Sequence, residues 1–195
     1  RGKPVIAIKA GASDAARKMT MSHTASLAGS HQVASAFFAA SGVGQVNSIE
    51  AFLQALGLLH CFGELTGKSL MTMSCSGGEA SLMADAAQRH GIPLPDFDDA
   101  AIAAIAETVN PLVTVSNPFD YHTFDWGDEE RLTASFTCAL AAGIDINALV
   151  LDFPARHITR VEGWHAAIRA IKAARDATGA RAAVIASMPE NMPPE

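Results

Sequence analysis

The sequence is poor in the features that bind nucleic acids and metal ions. Aromatic residues make up 6% of the chain, and 14 Lys and Arg stand against 20 Asp and Glu, which gives a formal net charge of −6. The basic residues are scattered and do not form the clusters that bind phosphate backbones, so no nucleic-acid partner is predicted. The histidines lack ligand spacings such as HxxxH, and the cysteines form no CxxC pair. No metal site is therefore predicted in this chain.

Long apolar runs and secretion signals are also missing. No run reaches about 18 apolar residues, which is the length of a membrane-spanning helix, and the first residues do not resemble a signal peptide. Cys61, Cys75 and Cys138 are isolated and odd in number, which is typical of a reducing compartment. These features predict a cytoplasmic protein without a membrane partner. The chain has no initiator Met and no closing element, which predicts an internal piece of a longer polypeptide.

Short apolar runs alternate with helical patterns along the chain. This alternation predicts an α/β fold in which a parallel sheet is covered by helices on both faces. We expect one doubly wound, flavodoxin-like domain over residues 66–195, preceded over residues 1–62 by the C-terminal part of a similar domain. The predicted strands cover residues 4–9, 43–46, 69–73, 92–94, 148–152 and 182–186, and the predicted helices cover residues 31–40, 79–90, 129–142 and 161–178, with two more that begin after Ser48 and at Asp98 or Asp99.

The segment Met21–Ser30 carries one imidazole among small and hydroxyl-bearing residues. It lacks the apolar period of a helix from Ser22 onward, so it is predicted to be a loop. A neutral imidazole is a competent nucleophile near pH 7, and the hydroxyls of Ser22 and Thr24 are able to bind a phosphate or orient the ring. The pattern predicts that His23 takes up and passes on a phosphoryl group. The alternative is an ordinary histidine of the surface or the core.

Two more segments lie where parallel strands are predicted to end, which is where open α/β sheets bind ligands. Ser76, Gly77 and Gly78 follow a strand and open a helix, and the free backbone amides of such a turn bind phosphate or carboxylate. The alternative is that the glycines only make the turn. Asn117 and Asp120 lie in a proline-containing segment and are candidates for substrate contacts, although an Asp in such a segment also serves as a turn former or helix cap.

Taken together, these three segments resemble those of a known family. The stretch from Lys3 to Gly11, followed by Ser22-His23-Thr24-x-x-Leu27-Ala28-Gly29-Ser30, resembles the phosphohistidine segment of the NDP-forming acyl-CoA synthetases, relatives of succinyl-CoA synthetase. Ser76-Gly77-Gly78 and Asn117-Pro118-x-Asp120 resemble the next two landmarks of that family, in the same order and spacing. The resemblance covers nearly the whole chain. The chain departs from the family at Cys75, where Asn is frequent, and at Glu79, where Pro is frequent.

The resemblance implies a phosphoryl relay. In this family ATP or another NTP, with Mg, phosphorylates the histidine, the phosphoryl group converts a carboxylic acid to an acyl phosphate, and CoA displaces phosphate. ATP and CoA are thus implied as substrates, and no tightly bound cofactor is predicted in this chain. The amino ends of two helices cradle the phosphohistidine in the family. The implied site residues are His23 as the catalytic residue, Ser76, Gly77 and Gly78 as phosphate-binding residues, and Ser22, Thr24, Asn117 and Asp120 as substrate or loop contacts.

The same resemblance implies further domains. A CoA-binding domain and an ATP-grasp domain are expected in the same polypeptide or in a second subunit, within a homo- or hetero-oligomer. The piece represented by this chain is expected to be inactive by itself.

Two other functions fit parts of the sequence. The first is a non-catalytic, CoA-ligase-like binding or regulatory module, against which the presence of His23 favours catalysis. The second is a serine hydrolase, because Ser74-x-Ser76-x-Gly78 on a strand-turn-helix is close to a nucleophile elbow, although the first Gly of that motif is missing. The acid and base residues that would follow in the right order are Asp120 or Asp152 and then His157 or His165.

Overall fold

The computed structural model describes residues 3–24, 29–65, 67–155 and 158–192. Its contacts divide the chain into two compact units, Arg1–Thr66 and Gly67–Glu195. Each unit has its own parallel sheet with flanking helices.

The first unit is built around a two-stranded parallel sheet. Its elements are β1 (Ile6–Ile8), α1 (Asp14–Thr24), α2 (His31–Ala40), β2 (Gly44–Val46) and α3 (Ile49–Phe62). The register pairs Ile6 with Gly44 and Ile8 with Val46. The helices predicted after Gly29 are confirmed, and Ser48 caps α3 as expected, because its hydroxyl accepts a hydrogen bond from the Ala51 N–H at 3.0 Å.

Helix α1 was not expected from the sequence pattern, and it corrects the prediction of a loop over Met21–Ser30. Residues 21–24 form the end of this helix, and residues 25–28 lie outside the described residues. Polar contacts start the helix: the Ser13 hydroxyl accepts from the Ala16 N–H at 3.2 Å, and Asp14 pairs with Arg17 at 2.6 Å. Only Ala15, Ala16, Met19 and Met21 of its residues are apolar, so the apolar period over this segment is too short to be distinctive.

The apolar faces of α2 and α3 remain largely exposed. Val33 and Phe37 on α2 are 69% and 64% exposed, and Ile49 and Leu53 on α3 are 72% and 61% exposed. Apolar side chains at helical spacing are normally buried against a neighbouring layer. Within the described residues of this unit, that layer is absent.

The second unit has the strand order of a flavodoxin-like sheet. Its elements are β3 (Leu70–Ser74), α4 (Gly77–His90), α5 (Asp99–Ala106), β4 (Phe119–Asp120), α6 (Glu129–Leu140), β5 (Ile146–Val150), α7 (Glu162–Thr178), β6 (Ala182–Ile185) and a short 3-10 helix, Pro189–Asn191. All strand pairs are parallel, and the order is β4-β3-β5-β6. The first strand of the unit therefore lies between the second and the third, and the predicted α/β, doubly wound class is confirmed.

Local signals in the sequence set most helix ends of this unit. Asp98 caps α5 by accepting a hydrogen bond from the Ala101 N–H at 2.8 Å. Gly91 ends α4 in the left-handed conformation at φ 64°, and Gly179 ends α7 at φ 70°. The core lies between the sheet and its helices, where several side chains have no exposed surface: Met71, Met73, Ile105, Phe119, Phe136 and Leu149.

Two strand predictions in this unit are wrong. Residues 92–94 do not form a strand, because Pro93 has no N–H and contributes only its carbonyl oxygen, which accepts from the Leu70 N–H at 2.9 Å. Conversely, β4 lies within a segment that was expected to be irregular. It has only two residues, and it exists because Phe119 and Asp120 pair with the end of β3.

The carboxylate of Asp145 holds the start of β3 against the loop before β5. It accepts hydrogen bonds from the Lys68 N–H at 3.0 Å, the Ser69 N–H at 2.9 Å and the Ser69 hydroxyl at 2.6 Å. The bonds from Ser69 lower the pKa of Asp145 below its ordinary value. A carboxyl group with a lowered pKa stabilises the fold above the ordinary pKa of about 4 and loses this effect as the pH falls through the lowered value.

We therefore expect Asp145→Asn to lower the free energy of unfolding at neutral pH by an amount that shrinks below about pH 4. Urea unfolding of both proteins between about pH 7 and about pH 3 measures this difference. Asp85→Asn, at an exposed position on α4, is the matched control. A difference for Asp145→Asn that is constant over this range would contradict the assignment.

Candidate functional site

The candidate site lies at the carboxyl ends of β3 and β5. These strands are neighbours, and the chain leaves β3 towards β4 on one side before it returns past β3 to β5 on the other. Such a reversal of strand order opens a crevice at the carboxyl edge, and open α/β sheets bind their ligands there. Cys75 follows β3 directly, and Leu151 and Asp152 follow β5.

The predicted phosphate-binding turn forms the N-terminus of α4. Ser76 is the capping residue in an extended conformation, φ −135° and ψ 122°, and its hydroxyl accepts from the Glu79 N–H at 3.4 Å. The hydroxyl of Ser74 supports the turn by donating to the Ser76 carbonyl oxygen at 3.0 Å. Gly77 and Gly78 are exposed, and the first N–H groups of a helix have no partner within it. The turn therefore offers backbone donors to an anion.

Asp120 lies beside this turn, as its place in β4 requires. It pairs in register with Ser74, and a Cβ atom placed on Gly77 would lie 3.2 Å from the Asp120 Oδ2. His122 is next to it, with its Nε2 3.8 Å from that same oxygen. The structure thus brings Asp120 to Ser76, Gly77 and Gly78, although these residues are far apart in the sequence.

Asn117 holds the framework of the site together. Its side-chain amide donates to the carbonyl oxygens of Leu70 and Pro95 at 2.9 and 3.0 Å, and its oxygen accepts from the Thr72 N–H at 3.3 Å. The side chain is buried, and its carboxamide is engaged at both ends. We assign Asn117 to the positioning of β4 along β3.

A cavity of about 320 Å³ adjoins the turn. Trp126 and Trp164 meet edge to face at its wall, with ring centroids 5.0 Å apart, and the Trp164 indole N–H donates to the Asp152 carbonyl oxygen at 2.7 Å. Gly163 leaves room for Trp126, since a Cβ atom there would lie within 2.4 Å of the indole nitrogen. The cavity is lined by Cys75, Glu79, Thr123, Trp126, Val150, Leu151, Asp152 and Trp164.

Burial and neighbouring negative charges disfavour the ionised form of the acidic groups in the cavity. Burial raises the pKa of Glu79, and the negative charges of Asp152 and Asp120 raise it further. The Glu79 Oε2 is buried without a hydrogen-bond partner. Burial and the charge of Glu79 also raise the pKa of the Cys75 thiol. A group of this kind in a crevice is a candidate for ligand binding.

In the sequence, Cys75 and Glu79 stand out only as departures from a family pattern. Trp126, Trp164 and Asp152 were not predicted to line a ligand site. Asp152 was considered only as a possible partner of Ser76. The sequence signal that could have pointed to Asp152 was its position just after the strand β5, at the carboxyl edge of the sheet. For the tryptophans no sequence signal existed, because their contact depends on the packing of α7.

The other predicted site residues belong to the first unit. Ser22, His23 and Thr24 lie in the last turn of α1 and not in the loop that was predicted for them. Their chemical roles remain predictions. In the second unit, the described hydrogen bonds of the Ser76 hydroxyl include the cap of α4 and no histidine, and His165 packs on Phe153 with ring centroids 5.7 Å apart. His157 lies outside the described residues.

Among the described residues, no group of three or more His, Cys, Asp and Glu side chains is arranged to hold a metal ion. No helix in the described part of the chain combines the length and apolar character needed to cross a membrane.

Comparison with known proteins gives matches to one family. Residues 1–59 match the succinyl-CoA ligase like flavodoxin domain. The ADP-forming acetate–CoA ligase II subunit alpha of Pyrococcus furiosus is 31% identical over 173 residues, which are 87% of this chain and 37% of that protein. The ADP-forming acetate–CoA ligase I of Archaeoglobus fulgidus is 35% identical over 120 residues, which are 62% of this chain and 17% of that protein.

A solved structure shows the same fold. The dinucleotide-forming acetyl-coenzyme A synthetase 1 of Candidatus Korarchaeum cryptofilum, solved in complex with phosphate and ADP, matches with a TM-score of 0.79 at 24% identity. The match covers 94% of this chain and 38% of that one.

Fold and site together define a flavodoxin-like domain in which helix α4 begins at the carboxyl edge of the sheet. The predicted resemblance to the NDP-forming acyl-CoA synthetases, relatives of succinyl-CoA synthetase, is confirmed by these matches. The chain spans less than two fifths of the length of each of these relatives.

Proposed function

We propose that the full-length protein is an ATP-dependent, NDP-forming acid–CoA ligase that forms an acyl-CoA from a carboxylic acid, CoA and ATP. The observation that carries this proposal is the N-terminus of α4. It presents free backbone donors at the strand-order reversal, in a chain whose relatives are named as ADP-forming acetate–CoA ligases. The cytoplasm is the proposed location.

The proposed relay has three balanced steps. A ring nitrogen of His23 attacks the γ-phosphorus of ATP, an N–P bond forms and ADP leaves. A carboxylate oxygen of the acid then attacks the same phosphorus, the N–P bond breaks and an acyl phosphate forms. Finally the CoA thiolate attacks the acyl carbon and inorganic phosphate leaves. Splitting the reaction in this way replaces one difficult displacement by easier ones.

The proposed role of the N-terminus of α4 is to bind the phosphoryl group during its transfer. The N–H groups of Gly77 and Gly78 and the positive end of the helix dipole stabilise a phosphate anion without offering a nucleophile. Asp120 lies next to Gly77 and limits how the anion approaches. Ser22 and Thr24 flank His23 and are proposed to contact the phosphate or the ring.

The proposed domain assignment makes residues 1–62 the C-terminal part of one flavodoxin-like CoA-ligase domain and residues 66–195 a second. Two parallel strands do not make a stable sheet by themselves, and the exposed apolar faces of α2 and α3 are suited to packing against the rest of such a domain. We further propose that CoA-binding and ATP-grasp domains come from the same polypeptide or a second subunit in an oligomer. One relative is itself named as a subunit alpha.

The reaction is tested with the full-length protein, ATP labelled at the γ-phosphate, Mg, CoA and a panel of carboxylic acids. We expect acid-labile, base-stable label on the protein, with ADP, phosphate and an acyl-CoA as products. Release of AMP and pyrophosphate would contradict the relay. Binding without any ADP formation would favour the regulatory module, and labelling of Ser76 by a fluorophosphonate would favour the hydrolase.

A further inference from the structure

The cavity beside α4 adjoins the turn at which the acid substrate is proposed to be phosphorylated. It is therefore placed to hold the remainder of that acid. Cys75 and Glu79 both line it, and they bracket the turn formed by Ser76, Gly77 and Gly78. Leu151 and Asp152, beyond the end of β5, also line it. The cavity thus lies in the crevice between β3 and β5, where the strand order predicts a ligand.

The charged side chains that line this cavity are acidic. Glu79 and Asp152 are among its lining residues, and Asp120 is close enough to act on the carboxyl group of Glu79. The described lining residues include no Lys, Arg or His. The Glu79 Oε2 is buried without a hydrogen-bond partner. Because a buried acceptor without a partner is costly, a ligand that supplies positive charge would relieve it.

The remaining walls favour an organic cation over a metal ion. Among the described residues, no group of three His, Cys, Asp and Glu side chains is arranged to hold a metal ion. The lining also includes Trp126, Trp164 and the aliphatic Val150 and Leu151. Aromatic rings combined with carboxylates attract alkylammonium groups through cation–π and charge interactions, and indole is the strongest ring for this purpose.

We propose that this cavity binds an ammonium group carried by the acid substrate at the end remote from its carboxylate. This inference rests on the proposed function, since it takes the carboxylate end to be phosphorylated at the start of α4. A volume of about 320 Å³ is at the lower end of ligand pockets, which suits a short acid with one small cationic head. CoA and ATP are anionic and are disfavoured by the carboxylates.

The two tryptophans of the chain, Trp126 and Trp164, both line the cavity. Calorimetric titration of the full-length protein measures binding of an acid without ATP or turnover. We expect 4-(trimethylammonio)butanoate to bind roughly tenfold or more tightly than its neutral isostere, 5,5-dimethylhexanoate. Equal or tighter binding of the neutral isostere, or no binding of the ammonium acid, would overturn the proposal.

Glu79→Gln tests the charge without changing the shape. We expect this variant to lose most of the preference for the ammonium acid, whereas Glu130→Gln, at an exposed position on α6, keeps it. A preference that survives Glu79→Gln would overturn the role of that carboxylate. Acyl-CoA assays of the full-length protein separate the two hypotheses: turnover of neutral acids only would reject the cationic site, and ammonium binding without ADP formation would reject the ligase.

Discussion

His23→Asn in the full-length protein is expected to reduce acyl-CoA formation by roughly 10⁴-fold or more, because it removes the nucleophile that carries the phosphoryl group. The loss corresponds to about 5 kcal/mol of transition-state stabilisation. Asparagine has no ring nitrogen that could form the N–P bond. It is close in size to the inner part of the imidazole, and His23 lies in the last turn of α1, away from the contacts of Ser13 and Asp14 at the start of that helix.

The measurement has two parts. Label from γ-phosphate of ATP should disappear from the protein in His23→Asn, and the rate of CoA-thioester formation should fall with it. The matched control is His60→Asn, which changes an exposed histidine on α3 of the same unit. This variant should retain both the protein-bound label and the rate of CoA-thioester formation. If His23→Asn carries as much acid-labile label as the wild type, the relay does not pass through this residue.

Gly77→Pro is expected to lower turnover of the full-length protein by roughly 10²- to 10³-fold, the usual cost of removing one donor from an anion site. Gly77 is the first residue of α4, and proline is favoured at that position because the N–H there has no partner within the helix. Ser76 is already extended, at φ −135° and ψ 122°, as the residue before a proline must be. The fold should therefore survive while one donor is lost.

Gly77→Ala is the matched control for this experiment. Its Cβ atom makes the same 3.2 Å approach to the Asp120 Oδ2, but its N–H remains. Turnover and thermal unfolding of both variants separate the donor from the steric contact. If the proline and alanine variants lose activity equally, crowding of Asp120 explains the effect. If neither loses activity, the N–H of Gly77 has no part in the mechanism.

Much of the fold was predictable because its signals are local. Ser48 and Asp98 cap helices where expected, and Gly91 ends α4. Each signal depends on a side chain or a conformational freedom of one residue. Helix α1 escaped prediction because it has few apolar residues, and because the contacts of Ser13 and of the Asp14–Arg17 pair at its start are not revealed by an apolar period.

The candidate site was predictable in its parts. The turn at Ser76, Gly77 and Gly78 could be placed after a strand, and Asp120 could be singled out in its segment. Their proximity depends on β4 pairing in parallel with β3, which aligns Asp120 with Ser74. The carboxamide of Asn117 is engaged with backbone groups of two separate segments, a use that no local pattern could indicate.

The sequence by itself determined the α/β class, several helix caps and the turn that opens α4, because apolar period and cap chemistry act over a few residues. Only the tertiary structure decided that β5 lies beside β3, and thus that Asp152, Trp164 and Glu79 line one cavity. Strand order is set by long-range packing and by the connections between strands. The negative, tryptophan-lined cavity next to the Ser76 turn is a consequence of that order.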